Sequence, residues 1–318
     1  MYRFKTSILL VAVLIFVSCR PKVKDKFTDT LTSGVIPVAV DETFEPIIQE
    51  EVDVFESIYV SAGIIPQYTS ELEAINLLLK DSVRLAITTR PLSLKETNYL
   101  KSKKFSPRSF KLATDGIALI VNRNNPDTLI TVDQLRQILV GKAKQWRDIY
   151  QKSNLGKITL VFDNPNSSTV RYAIDSICGG LPLSENLNAQ TTNAEVISYV
   201  SKTPGAIGVV GVSWLSNKVD TTNLSFNDIV RVMSVSNEVI ATEDNSYKPY
   251  QAYLFYDYYP LTRSVFIVLN DPRSSLPSGF TSFLTSDRGQ RIILKSGLVP
   301  ATQPVRVVNV KSENVQIK

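Results

Sequence analysis

Histidine is absent from all 318 residues. Its absence removes the commonest general base and the commonest metal ligand together, so a Ser-His-Asp triad and His-bound zinc are both excluded. Cysteine is nearly as scarce. Cys19 and Cys178 are too few for a metal cluster, and neither a metal nor a cofactor is expected. No apolar run reaches the roughly 20 residues that a membrane-crossing helix needs. Internal repeats and low-complexity tracts are also missing. The net charge of +5 is modest, with Lys and Arg mixed among Asp and Glu, so the clustered basic face of a nucleic-acid binder is lacking and no such partner is expected.

The rest is ordinary globular composition, 43% hydrophobic and 20% charged, in a chain long enough for two lobes. At the N-terminus, Arg3 and Lys5 precede the apolar run Ile8 to Val17, then Ser18 and Cys19. A basic start, a short apolar stretch and a small residue have the layout of a secretory signal. Removal of Arg3 and Lys5 with that signal lowers the formal charge from +5 to +3. Phe16-Val17-Ser18-Cys19 resembles the lipobox of bacterial lipoproteins, in which the cysteine carries the acyl chains; Phe16 stands where Leu is usual. Two or more acyl chains give stable anchoring. Residues 1–19 are thus expected to be a lipoprotein signal peptide ending on Cys19, and residues 20–30 a polar tether. Cys178, beside Gly179-Gly180, reads as a buried structural thiol.

From residue 35 onward, β-rich apolar runs alternate with helical periodicity, which predicts an α/β fold. Strands are expected at 35–40, 58–64, 84–88, 116–121, 158–162, 206–212 and 264–270. In the helix after Ser70, Leu72, Ile75, Leu78 and Leu79 are expected on one face. Ser70 with Glu73, Ser93 with Glu96 and Thr131 with Gln134 fit capping boxes. A helix start presents free N–H groups and the positive end of the dipole, so it can hold an anion or simply be capped. The stretches Asp41 to Phe44, Thr69-Ser70 and Asn166 to Thr169 follow strands in this way. Thr88-Thr89-Arg90-Pro91-Leu92 adds two hydroxyls and a guanidinium, which suits a planar oxyanion contact or a surface arginine over the next helix.

Together these segments resemble the phosphate-binding proteins of ABC transporters. The run Asp115 to Trp146, DGIALIVNRNNPDTLITVDQLRQILVGKAKQW, carries the most specific part of the likeness; Thr43-Phe44 with Pro46, Thr88 to Leu92, Ser167-Ser168-Thr169, Pro204 to Gly208, Tyr259-Pro260-Leu261 and Gly297 to Pro300 extend it. The resemblance implies a two-lobed periplasmic binding protein fold of type II-like form, each lobe a mixed sheet flanked by helices. Residues 31–115 plus 251–318 would form the first lobe and 116–250 the second. It also implies a binder and not an enzyme, with inorganic phosphate held by Thr43, Phe44, Ser70, Thr88, Thr89, Arg90, Asp163, Ser167, Ser168 and Thr169. The partners it implies are an ABC permease of the inner membrane and, through Cys19, the membrane itself, for a monomer in the cell envelope facing the periplasm. Sulfate, a phosphorylated small molecule, or phosphate sensing without transport are the alternative readings. Thr89 stands where the family's best-known form has the Asp that accepts the phosphate proton, and Asp163 where it has an Arg. Arg90 and Asp163 are therefore expected to exchange the two charged roles, with Asp163 or Asp115 as the carboxylate that separates phosphate from sulfate.

Overall fold

The computed structural model describes residues 29–185, 187–217, 220 and 225–302, so Cys19 and most of the 20–30 tether lie outside the described residues. Strand β1 (Gly34–Asp41) pairs in parallel with β2 (Ala62–Thr69) and with β3 (Leu85–Thr88). β4 (Arg108–Val121) is 14 residues long and holds the molecule together. Its first part, to Gly116, runs antiparallel to β11 (Thr262–Leu269), which in turn pairs with β3. Its last part, Ile117–Val121, runs antiparallel to β8 (Ala206–Gly211). Beyond β8 come β6 (Thr159–Phe162) and β7 (Asn188–Ala189), both parallel neighbours. The short β9 (Arg231–Val232) and β12 (Val299–Pro300) also pair with β4, and β5 (Leu129–Thr131) pairs with β10 (Ser234–Ser236). Each half is therefore a mixed sheet with helices packed on it, the two-lobed α/β arrangement read from the sequence.

Each half has its own apolar centre. Ile36, Val38 and Val40 of β1 meet Ile47, Ile48, Val52 and Phe55 of the Glu45–Ile58 helix, with Phe280, Phe283 and Ile293 from the C-terminal helices closing over them. The other centre gathers Ile117, Leu119 and Val121 of β4 around Trp146, which is fully buried and donates its indole N–H to the Gly205 carbonyl at 3.0 Å. Burying side chains of this size contributes about 1.5–3 kcal/mol each. Leu254, Tyr259 and Leu261 pack in the second centre, with Tyr253 against it, although 251–318 was expected to belong to the first lobe. The chain recrosses at about Thr262, because the Tyr259 hydroxyl is tied to the Ile117 carbonyl at 2.6 Å on the second half of β4. Cys178 is buried in the second centre, as expected of a structural thiol.

Three local expectations shift. The run 58–64 was read as a strand, but the helix begun at Glu45 continues its apolar spacing to Ile58 and the strand starts at Ala62. In the Glu71–Leu79 helix the buried face is Glu71, Ala74, Ile75 and Leu78, while Leu72 is 48% exposed. Ser93 and Thr131 form reciprocal capping boxes; Ser70 caps in one direction only, accepting from the Glu73 N–H at 3.3 Å.

One buried group stands apart from every ladder. Glu51, on the Glu45–Ile58 helix, is inaccessible to solvent and neither carboxyl oxygen has a hydrogen-bond partner. Burial, with Glu50 beside it, pushes its carboxyl up to about 9, so it is neutral at neutral pH. Because the folded-state value is raised, this contribution to stability is fully present below about pH 4.5 and is lost as pH rises towards 9. Glu51→Gln should therefore gain on the natural chain by up to about 1.4 kcal/mol per pH unit through that window, and the difference should level off above it. Urea denaturation across the pH range measures this; parallel profiles would contradict a neutral Glu51.

Candidate functional site

The carboxyl ends of β1, β3, β6 and β8 converge where the two halves meet, the region in which open α/β sheets collect ligands. β1 ends on Asp41, whose Oδ1 accepts the Thr43 N–H at 3.1 Å and so turns the chain into the tight Glu42–Phe44 helix. From the other half, Ser167 caps the Ser168–Tyr172 helix by accepting the Val170 N–H at 3.3 Å. That geometry leaves the first-turn N–H groups of Ser168 and Thr169 without helical acceptors. Thr43, Ser168 and Thr169 are fully buried.

Between the two loops lies Arg263, a residue of β11 placed directly opposite Asp115 of β4. Its Nε donates to Asp115 Oδ2 at 2.9 Å, its Nη1 donates to Ser168 Oγ at 2.7 Å, and its guanidinium carbon stands 5.2 Å from the centre of the Phe44 ring. Burial opposes the charge on Arg263, but Asp115 and Asp41 outweigh it and hold the guanidinium ionised. Burial likewise raises Asp115, against the pull of Arg263. Asp41 is pushed up to about 6 by burial, with Glu71 and Asp163 adding to the rise while Arg263 and Ser168 oppose it.

Four buried polar atoms here have no partner: Arg263 Nη2, Thr43 Oγ1, Asp41 Oδ2 and Asp115 Oδ1. Each unmet buried group costs about 1–3 kcal/mol, so several at one place mark a position where a ligand supplies the missing bonds. Gly211 permits the close approach. A Cβ there would lie 2.5 Å from Thr43 Cγ2 and 3.8 Å from Arg263 Nη2. Arg263 Nη2, Thr43 Oγ1 and the first-turn N–H groups of Ser168 and Thr169 are donors suited to an oxyanion, with Asp41 Oδ2 and Asp115 Oδ1 as acceptors beside them, and among the described residues no group of carboxylates and thiols is arranged to hold a metal.

The sequence-predicted residues divide. Thr43, Phe44 and Ser168 surround Arg263. The hydroxyls of Ser167 and Thr169 turn instead to Asp163 Oδ1, at 2.6 and 2.5 Å, and Asn193 Nδ2 donates to Asp163 Oδ2 at 3.2 Å. Asp163 is therefore engaged in holding the loop, both of its oxygens accepting from side chains of its own half. Thr88 Oγ1 donates to the Arg90 carbonyl at 2.8 Å, and Thr89 gives both its N–H and its hydroxyl to Glu71, each at 2.7 Å. Arg90 does not enter the cluster: both Nη atoms donate to Glu96 at 2.8 Å, one on each carboxylate oxygen, so the proposed exchange of roles between Arg90 and Asp163 is not what the geometry provides. Ser70 acts as a helix cap. Sequence reasoning missed Arg263, although it alternates in phase with the buried Val265 and Ile267 along β11. It also missed Asn193, which links the two halves by donating to Glu42 Oε2 at 2.6 Å while its own Oδ1 accepts the Gly211 N–H at 3.3 Å.

A sequence model described as the PBP superfamily domain matches residues 27–288. The phosphate-binding protein PstS of Staphylococcus aureus is 28% identical over 214 residues, 65% of this chain and 61% of that protein, so the match spans about three fifths of the relative's length. Among solved structures, a candidate phosphate ABC transporter substrate-binding protein from Clostridium perfringens, with phosphate bound, superposes at a TM-score of 0.70 with 19% identity, covering 84% of this chain and 99% of that one. An ABC-type phosphate transport receptor from Vibrio cholerae gives 0.63 with 21% identity, covering 84% and 100%. At these identities the superpositions establish the fold.

Removing Arg263 alone strands Asp115 as a buried, unpaired carboxylate, which costs about 3–5 kcal/mol. Arg263→Ala should lose that much stability, and Arg263→Ala with Asp115→Ala should recover part of it. Chemical denaturation of the double-mutant cycle reads the coupling, and additive losses would contradict it.

Proposed function

The chain belongs to the PBP superfamily, and we propose that it is the substrate-binding lipoprotein of an ABC importer that captures inorganic phosphate between its two lobes. The observation that carries this reading is the unpartnered Nη2 of Arg263, buried beside the equally unpartnered Thr43 Oγ1 and the helix start at Ser168. Arg263 supplies the charge expected of Arg90. Thr43 Oγ1, the Phe44, Ser168 and Thr169 N–H groups and Arg263 Nη2 donate to the ligand, while Ser167, Thr169 and Asp163 brace the loop through their side chains. The names of the curated relatives and of the phosphate-bound structural neighbour support phosphate as the ligand. The protein is a binder without catalytic residues. It works as a monomer outside the cytoplasmic membrane, held there through Cys19 and passing its ligand to a permease. The lobes comprise residues 31–115 plus the segment from about 262 onward, and about 116–261.

Asp41 takes the part first given to Asp163. Its Oδ2 is one of two unpartnered carboxylate oxygens beside Arg263, and unlike Asp115 it is not bonded to the guanidinium, so it is suited to accept a proton from a protonated phosphate. Fully ionised sulfate offers no proton, so an ionised Asp41 faces it across an unpaired contact. The sign follows from a carboxyl raised to about 6: above that pH Asp41 is charged and rejects sulfate, below it Asp41 is neutral and tolerates it.

Calorimetry of the mature chain with phosphate and sulfate should give tight phosphate binding, weakened roughly 10-fold by Thr43→Val through loss of one charge-assisted hydrogen bond. The preference for phosphate over sulfate should narrow as pH falls through about 6 and be narrow at every pH in Asp41→Asn. A natural chain indifferent to both anions would overturn the reading. Separately, Cys19→Ala should move the protein from the membrane to the soluble fraction; retention in the membrane would contradict the anchor.

A further inference from the structure

A second arginine reaches across the same boundary with different chemistry. Arg171, on the Ser168–Tyr172 helix, donates from Nε to Glu71 Oε2 at 2.6 Å. Its Nη2 donates to Thr89 Oγ1 at 2.6 Å and more distantly to Glu71 Oε1 at 3.5 Å, and its Nη1 to Asp175 at 3.3 Å. Glu71 heads the Glu71–Leu79 helix of the other half, is buried, and also holds the end of β3 through Thr89. All three nitrogens of Arg171 thus face protein, whereas Arg263 keeps one free. Arg171 spends its donors on protein; Arg263 is the one with capacity for a ligand.

The position of the pair matters as much as its strength. A cavity of about 210 Å³ opens outside it, walled by Leu72, Ile75, Val170 and Ile174. Glu71, Ser167 and Arg171 belong both to the wall of this cavity and to the polar network around the buried cluster. The pair therefore stands between the outer cavity and the candidate oxyanion position. Its two members are 100 residues apart in sequence and sit on helices of opposite halves, so any parting of the halves along the cleft breaks it.

We propose that Arg171 is a latch: a positioning residue that makes no ligand contact, forms its bonds to Glu71 and Thr89 only when the lobes are shut, and thereby governs how fast bound ligand leaves. This rests on the preceding reading that phosphate is captured between the two lobes, with the further step that the lobes part to exchange it. Ligand associates with the open form, in which the latch is undone, so the latch acts on release and leaves association nearly untouched. Charge-assisted bonds of this length are about twice as strong as neutral ones. Arg171 is 34% exposed on its side chain, so salt reaches and weakens the contact.

Stopped-flow measurement of phosphate association and release on the mature chain tests this with Arg171→Gln and Arg171→Lys. Arg171→Gln should raise the release rate roughly 10-fold or more with association changed by less than about 3-fold, and Arg171→Lys should recover part of the loss. High salt should speed release from the natural chain and leave Arg171→Gln unaltered. A side chain with a merely structural role would lower thermal stability without this split between rates. In parallel, small-angle scattering without ligand should show Arg171→Gln more open on average. If the natural chain binds phosphate and both variants release it at the natural rate, the latch is overturned. If the natural chain binds no phosphate, the functional reading fails, and scattering alone decides the latch: ligand-free curves that coincide overturn it.

Discussion

A guanidinium buried between two strands is unfavourable by itself, because taking a charge out of water costs several kcal/mol unless other charges and hydrogen bonds replace the solvent. Arg263 meets that requirement by opposing Asp115 across the β11–β4 ladder at 2.9 Å. The pair lies where β4 passes from one apolar centre to the other, so both centres contribute to excluding water from it. Arg263 pulls down the carboxyls of Asp41 and Asp115 against the rise that burial gives them. Asp41 is held up by burial, yet not so far that it cannot ionise, because Arg263 opposes the rise. The direction of the free nitrogen follows from the same contact: with Asp115 fixing Nε and Ser168 fixing Nη1, Nη2 has one direction left to point.

Around this centre the molecule uses carboxylates in three distinct ways. Asp163 is an internal brace, with one oxygen shared by two hydroxyls and the other facing Asn193. Glu42 and Glu71 reach across the boundary, the first to Asn193 and the second to Arg171. Asp41 alone among them keeps an oxygen unpartnered at the cluster's heart beside that of Asp115. The difference lies in local placement and not in residue type. Each brace sits where hydroxyl or amide donors lie within one helical turn or across a strand end, whereas Asp41 Oδ2 accepts no hydrogen bond.

Much of the architecture was legible because its signals are periodic. The alternation of apolar strands with helical spacing predicted both sheets, and Ser93 with Glu96 and Thr131 with Gln134 formed the reciprocal caps that their spacing implies. The turn at Thr43 and Phe44 was readable for a similar reason, since the two residues sit at a helix start directly after a strand. What could not be read was which polar residue points where. Arg90 and Arg263 are both arginines near strand ends, but Glu96 sits one turn into the following helix and captures Arg90, whereas the partner of Arg263 is 148 residues away. Glu71 is an acid in the first turn of its helix, a placement the helix dipole favours by itself; only the tilt of the helix, which buries Ala74, Ile75 and Leu78 in place of Leu72, shows that it faces inward. Pairings made by tertiary contact leave no spacing in the sequence to detect.

The single long strand β4 carries a consequence for how the protein comes to exist. Its second part finds β8 and β6 within the next hundred or so residues, so the half around Trp146 can condense early from nearly contiguous chain. Its first part must wait for β11, whose pairing closes a loop of well over a hundred residues, and for the Phe280 and Phe283 helix that roofs the other apolar centre. Long-range closures of this kind slow folding and leave strand edges bare in the interval. Until that closure the edge of β4, with Asp115 and no Arg263 opposite it, carries an unpaired carboxylate in the middle of an otherwise sticky strand. A charge that serves the finished site would thus also guard the unfinished one, keeping the open edge solvated and unreceptive to a stray strand until its arginine arrives.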